Sequence, residues 1–108
     1  MEAHGCSPGS LSDPLQLARV FARIIDEVGL HPLGDPIWHK FPGAGGVTGL
    51  ALLSESHLAC HTFPEFETAC INLFCCRPRP QWPFEERLRE MLGASAVTVR
   101  RIERPFHP

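Results

Sequence analysis

Val47-Thr48-Gly49-Leu50-Ala51-Leu52-Leu53 is followed, across Ser54-Glu55-Ser56, by His57-Leu58-Ala59-Cys60-His61-Thr62. Both flanking runs are short and apolar, as strands are, and the polar tripeptide between them reads as a turn. A third β-type run, Thr68 to Cys76, follows within a few residues. Three strands this close together predict an antiparallel meander with short connections. Side chains alternate along a strand. His57, Ala59 and His61 therefore share one face of the second strand, and Cys70, Asn72, Phe74 and Cys76 one face of the third. The meander can bring His61 and Cys76 to the same side of the sheet.

Working outward, a helix is predicted over Pro14–Val28, where Leu17, Phe21, Ile24, Ile25 and Val28 recur at helical spacing. Asp13 suits the cap, Pro14 the first helical position, Gln16 the third residue after the cap, and Gly29 the stop. His31 to Phe41 is broken by Pro32, Gly34 and Pro36, and leaves a short strand around Ile37-Trp38-His39-Lys40. Pro42-Gly43-Ala44-Gly45-Gly46 is a loop. It lacks the Lys-Ser/Thr ending and following helix of a phosphate-cradling loop. Arg77-Pro78-Arg79-Pro80 ends the sheet run and reads as a solvated connector. A second helix is expected from Pro83 to Leu92, with Glu85 and Glu86 at the positive end of its dipole and Gly93 closing it. A last strand is expected over Ala96–Ile102. The fold class is α+β, a two-layer sandwich of two helices on one face of a mostly antiparallel sheet.

The 108 residues fit one domain whose core is limited, so oligomerisation would help it. A net charge of -2 gives no basic face for nucleic acid. No apolar run approaches a membrane span, and the first residues lack the pattern of a signal peptide. Five cysteines (Cys6, Cys60, Cys70, Cys75 and Cys76), an odd count with no C-x-x-C pair, argue against a disulfide framework or a structural zinc. A cytoplasmic location and no metal are the expectations.

The residues that can carry chemistry are Glu55-Ser56-His57, His61 and Cys76. Singly, each has a plain reading. Serine forms turns, a strand histidine packs or faces solvent, and cysteine is commonly a small buried hydrophobe. Together they match a known pattern. The segment Leu53-Ser54-Glu55-Ser56-His57-Leu58-Ala59-Cys60-His61-Thr62-Phe63-Pro64-Glu65 resembles the processing segment of the bacterial short-chain S-adenosylmethionine decarboxylases. Asn72-Leu73-Phe74-Cys75-Cys76 falls where that family has its catalytic cysteine. Phe41 and Gly46-Val47-Thr48-Gly49 look like its preceding strand.

The resemblance implies a proenzyme that cuts itself between Glu55 and Ser56, giving a β chain (1–55) and an α chain (56–108). The Ser56 hydroxyl attacks the Glu55 carbonyl to form an ester. His61 then acts as proton acceptor at the Cα of residue 56, and elimination leaves a covalent pyruvoyl group. Each step has a physical basis. A serine hydroxyl needs activation, a strained turn stores energy, and histidine accepts protons near neutral pH. By the same resemblance the pyruvoyl cofactor, as a Schiff base with the substrate amine, serves as the electron sink for decarboxylation. Cys76 is the proton donor to the product, with Cys75 its nearest rival. The product would be the aminopropyl donor of polyamine (spermidine) biosynthesis. The resemblance also implies a homodimer of cleaved αβ protomers with sites at the interface. Phe41 stacks on adenine, often from the partner subunit. Thr48 lies near the active centre, Phe63 stands for the usual Trp, and Glu65 is placed to bind the ribose hydroxyls.

The chain departs from the pattern in places. One residue is inserted between Phe41 and Thr48, Phe66-Glu67 replaces a usual Gly, Asn72 stands for Asp and Arg77 for Gly. The N-terminus is also short, which leaves the first strand in question. These departures keep open a pyruvoyl-dependent ornithine or arginine decarboxylase, with Glu65 or Glu67 for the distal cation. An uncleaved binding or regulatory homologue is the alternative of another class.

Overall fold

The computed structural model describes residues 1–105. Six strands form one sheet: β1 (Glu2–His4), β2 (Ile37–Lys40), β3 (Val47–Leu53), β4 (Ser56–Phe63), β5 (Thr68–Cys75) and β6 (Ala96–Thr98). Their order is β2-β3-β4-β5-β1-β6, and every pairing is antiparallel. The helices are α1 (Pro8–Leu11), α2 (Pro14–Val28) and α3 (Phe84–Leu92), and a single 3-10 turn spans Pro64–Phe66. The meander β3-β4-β5 stands as expected, because its short connections permit only antiparallel neighbours.

One sheet face is covered. Val47, Ala51 and Leu53 of β3, Leu58 and Cys60 of β4, and Ala69 and Ile71 of β5 are buried in one core with Leu17, Val20, Phe21 and Ile24 of α2 and Leu88 and Leu92 of α3. The opposite face is open, and Leu50, Leu52 and Phe74 are exposed there. Asp13 caps α2 by accepting the Leu15 N–H (3.0 Å), and Gly29 ends the helix with φ 77°. Gln16 does not reach back to the cap; its amide donates to the Met91 carbonyl (2.8 Å) and ties α2 to α3. Buried Thr62 links α1 to the sheet, donating to the Leu11 carbonyl (2.7 Å) and accepting the Val47 N–H (2.9 Å).

Three expectations need adjustment. The N-terminus, short as it is, forms β1, inserted between β5 and β6. The last strand stops at Thr98 because its only partner, β1, has three residues to offer. Pro83 sits at the cap of α3, one residue before the helix proper.

Two features of the core can be tested. Gly49 lies beneath the Trp38 ring, so a Cβ there would fall 2.2 Å from a ring carbon, and Trp38 packs on Phe21 at 4.7 Å between centroids. Gly49→Ala therefore displaces Trp38 and costs about 1–3 kcal/mol in urea unfolding. Glu27 on α2 accepts from Arg87 (3.0 Å) and from Trp82 Nε1 (2.7 Å). The Arg87 hydrogen bonds, with those of Trp82 and Arg23, hold its carboxyl down at about 2. A lowered carboxyl pKa stabilises the fold above the ordinary value of 4.5 and loses that effect as pH falls toward 2. Thermal unfolding should find Glu27→Gln less stable than wild type at pH 7, with the gap closing between pH 4.5 and 2.

Candidate active site

The turn that joins β3 to β4 is Ser54-Glu55, flanked by the Leu53↔Ser56 pair. Two-residue hairpin loops usually place positive φ inside the loop. Here the positive φ falls on Ser56, at 143°, in a residue that carries a Cβ. Such a conformation costs on the order of 1–3 kcal/mol and persists only where its surroundings impose it. The Ser56 hydroxyl lies 2.9 Å from His57 Nδ1.

Those surroundings centre on Glu55, whose side chain is 6% exposed. Its carboxylate accepts the His31 backbone N–H (2.9 Å), pairs with His31 Nδ1 (2.6 Å) and accepts from Arg79 (2.9 Å). The His31 side-chain and backbone hydrogen bonds bring the Glu55 carboxyl down to about 2, against the opposing effect of burial. Its main-chain carbonyl accepts the Cys76 N–H at 2.9 Å. The segment before β2 closes the third side: Ser54 N–H donates to the His31 carbonyl and Leu33 N–H to Leu52. A carbonyl that already faces an N–H donor is arranged to hold negative charge on its oxygen during acyl transfer.

Two cysteines meet this turn from β5. Cys75 is the cross-strand neighbour of Ser56, half-buried on the core side, and burial pushes its thiol up. Cys76 follows, exposed, in a bend one residue past the end of β5. His57, on the open face, stacks parallel on Phe74 with centroids 5.6 Å apart.

The remaining sequence-predicted residues gather at the other end of the sheet. Thr48 and His61 are cross-strand partners, with Thr48 Oγ1 2.6 Å from His61 Nδ1. Phe41 meets the His61 ring at 5.7 Å and Phe63 meets it at 4.6 Å, both edge-on. His39 adds an edge contact to Phe41 at 4.5 Å. Glu65 is exposed on the 3-10 turn that follows β4. β5 ends at Cys75, one residue short of the expected strand, so alternation does not fix the side of Cys76, and the register keeps His61 and Cys76 apart. His61 pairs with Cys70, and the six further residues to Cys76 span about 20 Å at the strand rise. His61 is likewise about 17 Å along its own strand from Ser56. The candidate residues therefore fall into two groups, one toward each end of the sheet.

The solvated reading of the Arg77–Pro80 connector does not hold for Arg79, which is ion-paired to Glu55 and only 27% exposed. His31 was also unassigned. Both reach Glu55 across 24 positions of chain, a contact that local pattern does not encode.

A family model described as S-adenosylmethionine decarboxylase matches residues 1–105. A protein of Moorella thermoacetica named S-adenosylmethionine decarboxylase proenzyme is 35% identical over 104 residues, covering 95% of this chain and 82% of its own length. Proteins of the same name from Carboxydothermus hydrogenoformans and Pelotomaculum thermopropionicum are each 32% identical. They cover 95% and 99% of this chain, and 80% and 84% of their own lengths. With nearly its whole length matched, the chain belongs to the S-adenosylmethionine decarboxylase family.

Proposed function

We propose that this chain is a self-processing, pyruvoyl-dependent decarboxylase of S-adenosylmethionine, cut between Glu55 and Ser56 into a β chain of residues 1–55 and an α chain of residues 56–108. The observation that carries the reading is the strained Ser56, whose preceding carbonyl accepts the Cys76 N–H. Family membership gives the substrate. The residues around Ser56 fit the formation of a pyruvoyl group there. The hydroxyl has a histidine partner, the carbonyl has an N–H donor, and Glu55 is fixed through its side chain. When formed, the pyruvoyl ketone supplies an electron sink for loss of the carboxyl group.

The chain's own groups would then divide the work. Cys76, exposed one residue past β5 and hydrogen-bonded through its N–H to the Glu55 carbonyl, is the proton donor to the product carbon; Cys75 is half-buried. Phe41 and Phe63, edge-on to His61, offer faces for an adenine ring. Thr48 orients the His61 ring through Nδ1, and Glu65 stands nearby in sequence for the ribose hydroxyls.

His61 is the proton acceptor at the Cα of residue 56, and its distance within one chain supports its being supplied by a second copy. A two-fold dimer formed over the open sheet faces would set the His61 end of one copy against the Ser56 end of the other. Exposed Leu50, Leu52 and Phe74 lie between the two groups and would be covered in that arrangement. No described helix is long and apolar enough to cross a membrane. All five cysteines are free thiols, as a reducing cytoplasm keeps them. A cytoplasmic biosynthetic enzyme feeding polyamine synthesis fits these features.

Two experiments test the reading. By intact mass, wild type should appear as two chains with a blocked α-chain N-terminus, and Ser56→Ala as one. Cys76→Ala should still be cut yet lose turnover by about 100-fold or more; a single uncut wild-type chain would sink the proposal. Co-expression addresses the dimer. His61→Ala and Ser56→Ala should each stay uncut alone. In mixed dimers the His61→Ala chain should be cut, because its Ser56 meets an intact His61 from the partner. No cutting in the mixture would place both residues in one protomer.

A further inference from the structure

We propose that His57 is the general base that starts self-cleavage, distinct from the histidine that removes the Cα proton. The inference rests on the self-cleavage reading and adds a catalytic residue to it. Its observation is local: the Ser56 hydroxyl is 2.9 Å from His57 Nδ1, within reach for direct proton transfer. His61 of the same chain is about 17 Å away along the strand, and the second copy's histidine is already assigned to the later Cα step. The hydrogen bond also explains the direction of the serine. Strand alternation would put residue 56 on the core side with Leu53 and Cys75, its cross-strand partners. Ser56 keeps both ladder partners, but its positive φ departs from ordinary strand geometry, and its hydroxyl bonds the ring of the next residue.

His57 is also held as a base should be. Its ring lies 5° from parallel to Phe74, at 5.6 Å, and the two are cross-strand partners. The stack limits rotation of the ring. With the ring proton on Nε2, Nδ1 carries the lone pair that faces the hydroxyl.

The step balances without a co-reactant. The Oγ–H bond breaks and its proton passes to Nδ1. Oγ bonds to the Glu55 carbonyl carbon, and the charge that develops on the carbonyl oxygen meets the Cys76 N–H. Collapse breaks the bond from that carbon to the nitrogen of residue 56, and the proton on Nδ1 moves to the departing nitrogen. An amide has become an ester and a free amine, with nothing oxidised or reduced. The later removal of the Cα proton needs a second base, so the two histidines act at separate steps.

The test separates those steps. The full chain is made by pulse-labelled cell-free translation, and uncut protein is followed by intact mass. His57→Phe keeps an aromatic ring on Phe74 and removes the base; His57→Ala opens space for added imidazole. Both should fold, by circular dichroism, and cut about 100-fold or more slowly. Neither should release fragments in hydroxylamine, since arrest precedes the ester. Imidazole should speed His57→Ala and not His57→Phe. His61→Ala, in contrast, should accumulate a hydroxylamine-sensitive ester. Cutting of His57→Phe at the wild-type rate, or its arrest as a hydroxylamine-sensitive ester, would overturn the assignment while leaving self-cleavage intact. A wild-type chain that never cuts would overturn both.

Discussion

The structure depends on how the peptide unit between Glu55 and Ser56 is held. Glu55 is a buried anion in a surface hairpin, a poor place for a charge unless it is paired. Its carboxylate has three donors from two distant segments, the His31 main chain and ring and the Arg79 guanidinium. Its carbonyl has a fourth, the Cys76 N–H. These contacts fix the residue on the acyl side of the bond. Ser56, on the amine side, absorbs the mismatch as a positive φ. Glycine would adopt that φ with less strain, but it has no hydroxyl. A serine kept where glycine fits better is what a position needing an oxygen nucleophile would retain, and strain of this kind is found at sites of chemistry.

Sheet geometry sets the second constraint. Groups on one strand are spaced by its rise, so His61 and Ser56 have fixed positions five residues apart on β4. No side-chain rotation closes about 17 Å. The group with a nucleophile has Cys75, Cys76 and His57, and the group with aromatic faces has Phe41, Phe63 and the Thr48–His61 pair. Under the proposed mechanism neither would be sufficient alone, and the apolar residues between them are exposed in the single chain. Two copies related by a two-fold axis across the strands would resolve both difficulties with one interface, because that axis brings unlike ends together twice.

Periodicity made α2, α3 and the β3-β4-β5 meander readable, since each has an apolar face of several turns or residue pairs. It did not reveal β1, whose three residues become a strand only by insertion between two others. Of the site, the residue types were legible from Leu53 to Cys76, and alternation gave the face of His61 but not of Cys76, which lies past the end of β5. Their separation was not legible, because face follows from parity alone while distance follows from register. His31 and Arg79 were invisible for a related reason: they belong to irregular segments whose partner lies across the fold.

The position of the proposed cut also bears on whether its products would stay together. Opening the bond after Glu55 severs the β3–β4 hairpin at its tip and leaves the ladder from Thr48↔His61 to Leu53↔Ser56 in place. At the other side of the sheet β1, from the first piece, stays between β5 and β6 of the second. The first piece carries α2 and the second α3, and both helices bury residues in the same core. The two pieces are thus interleaved through strand pairs on two sides and a shared interior. A cut in a terminal connector would free one piece from the other. A cut at this hairpin would release strain at Ser56 and expose a new chain end, with little loss of burial.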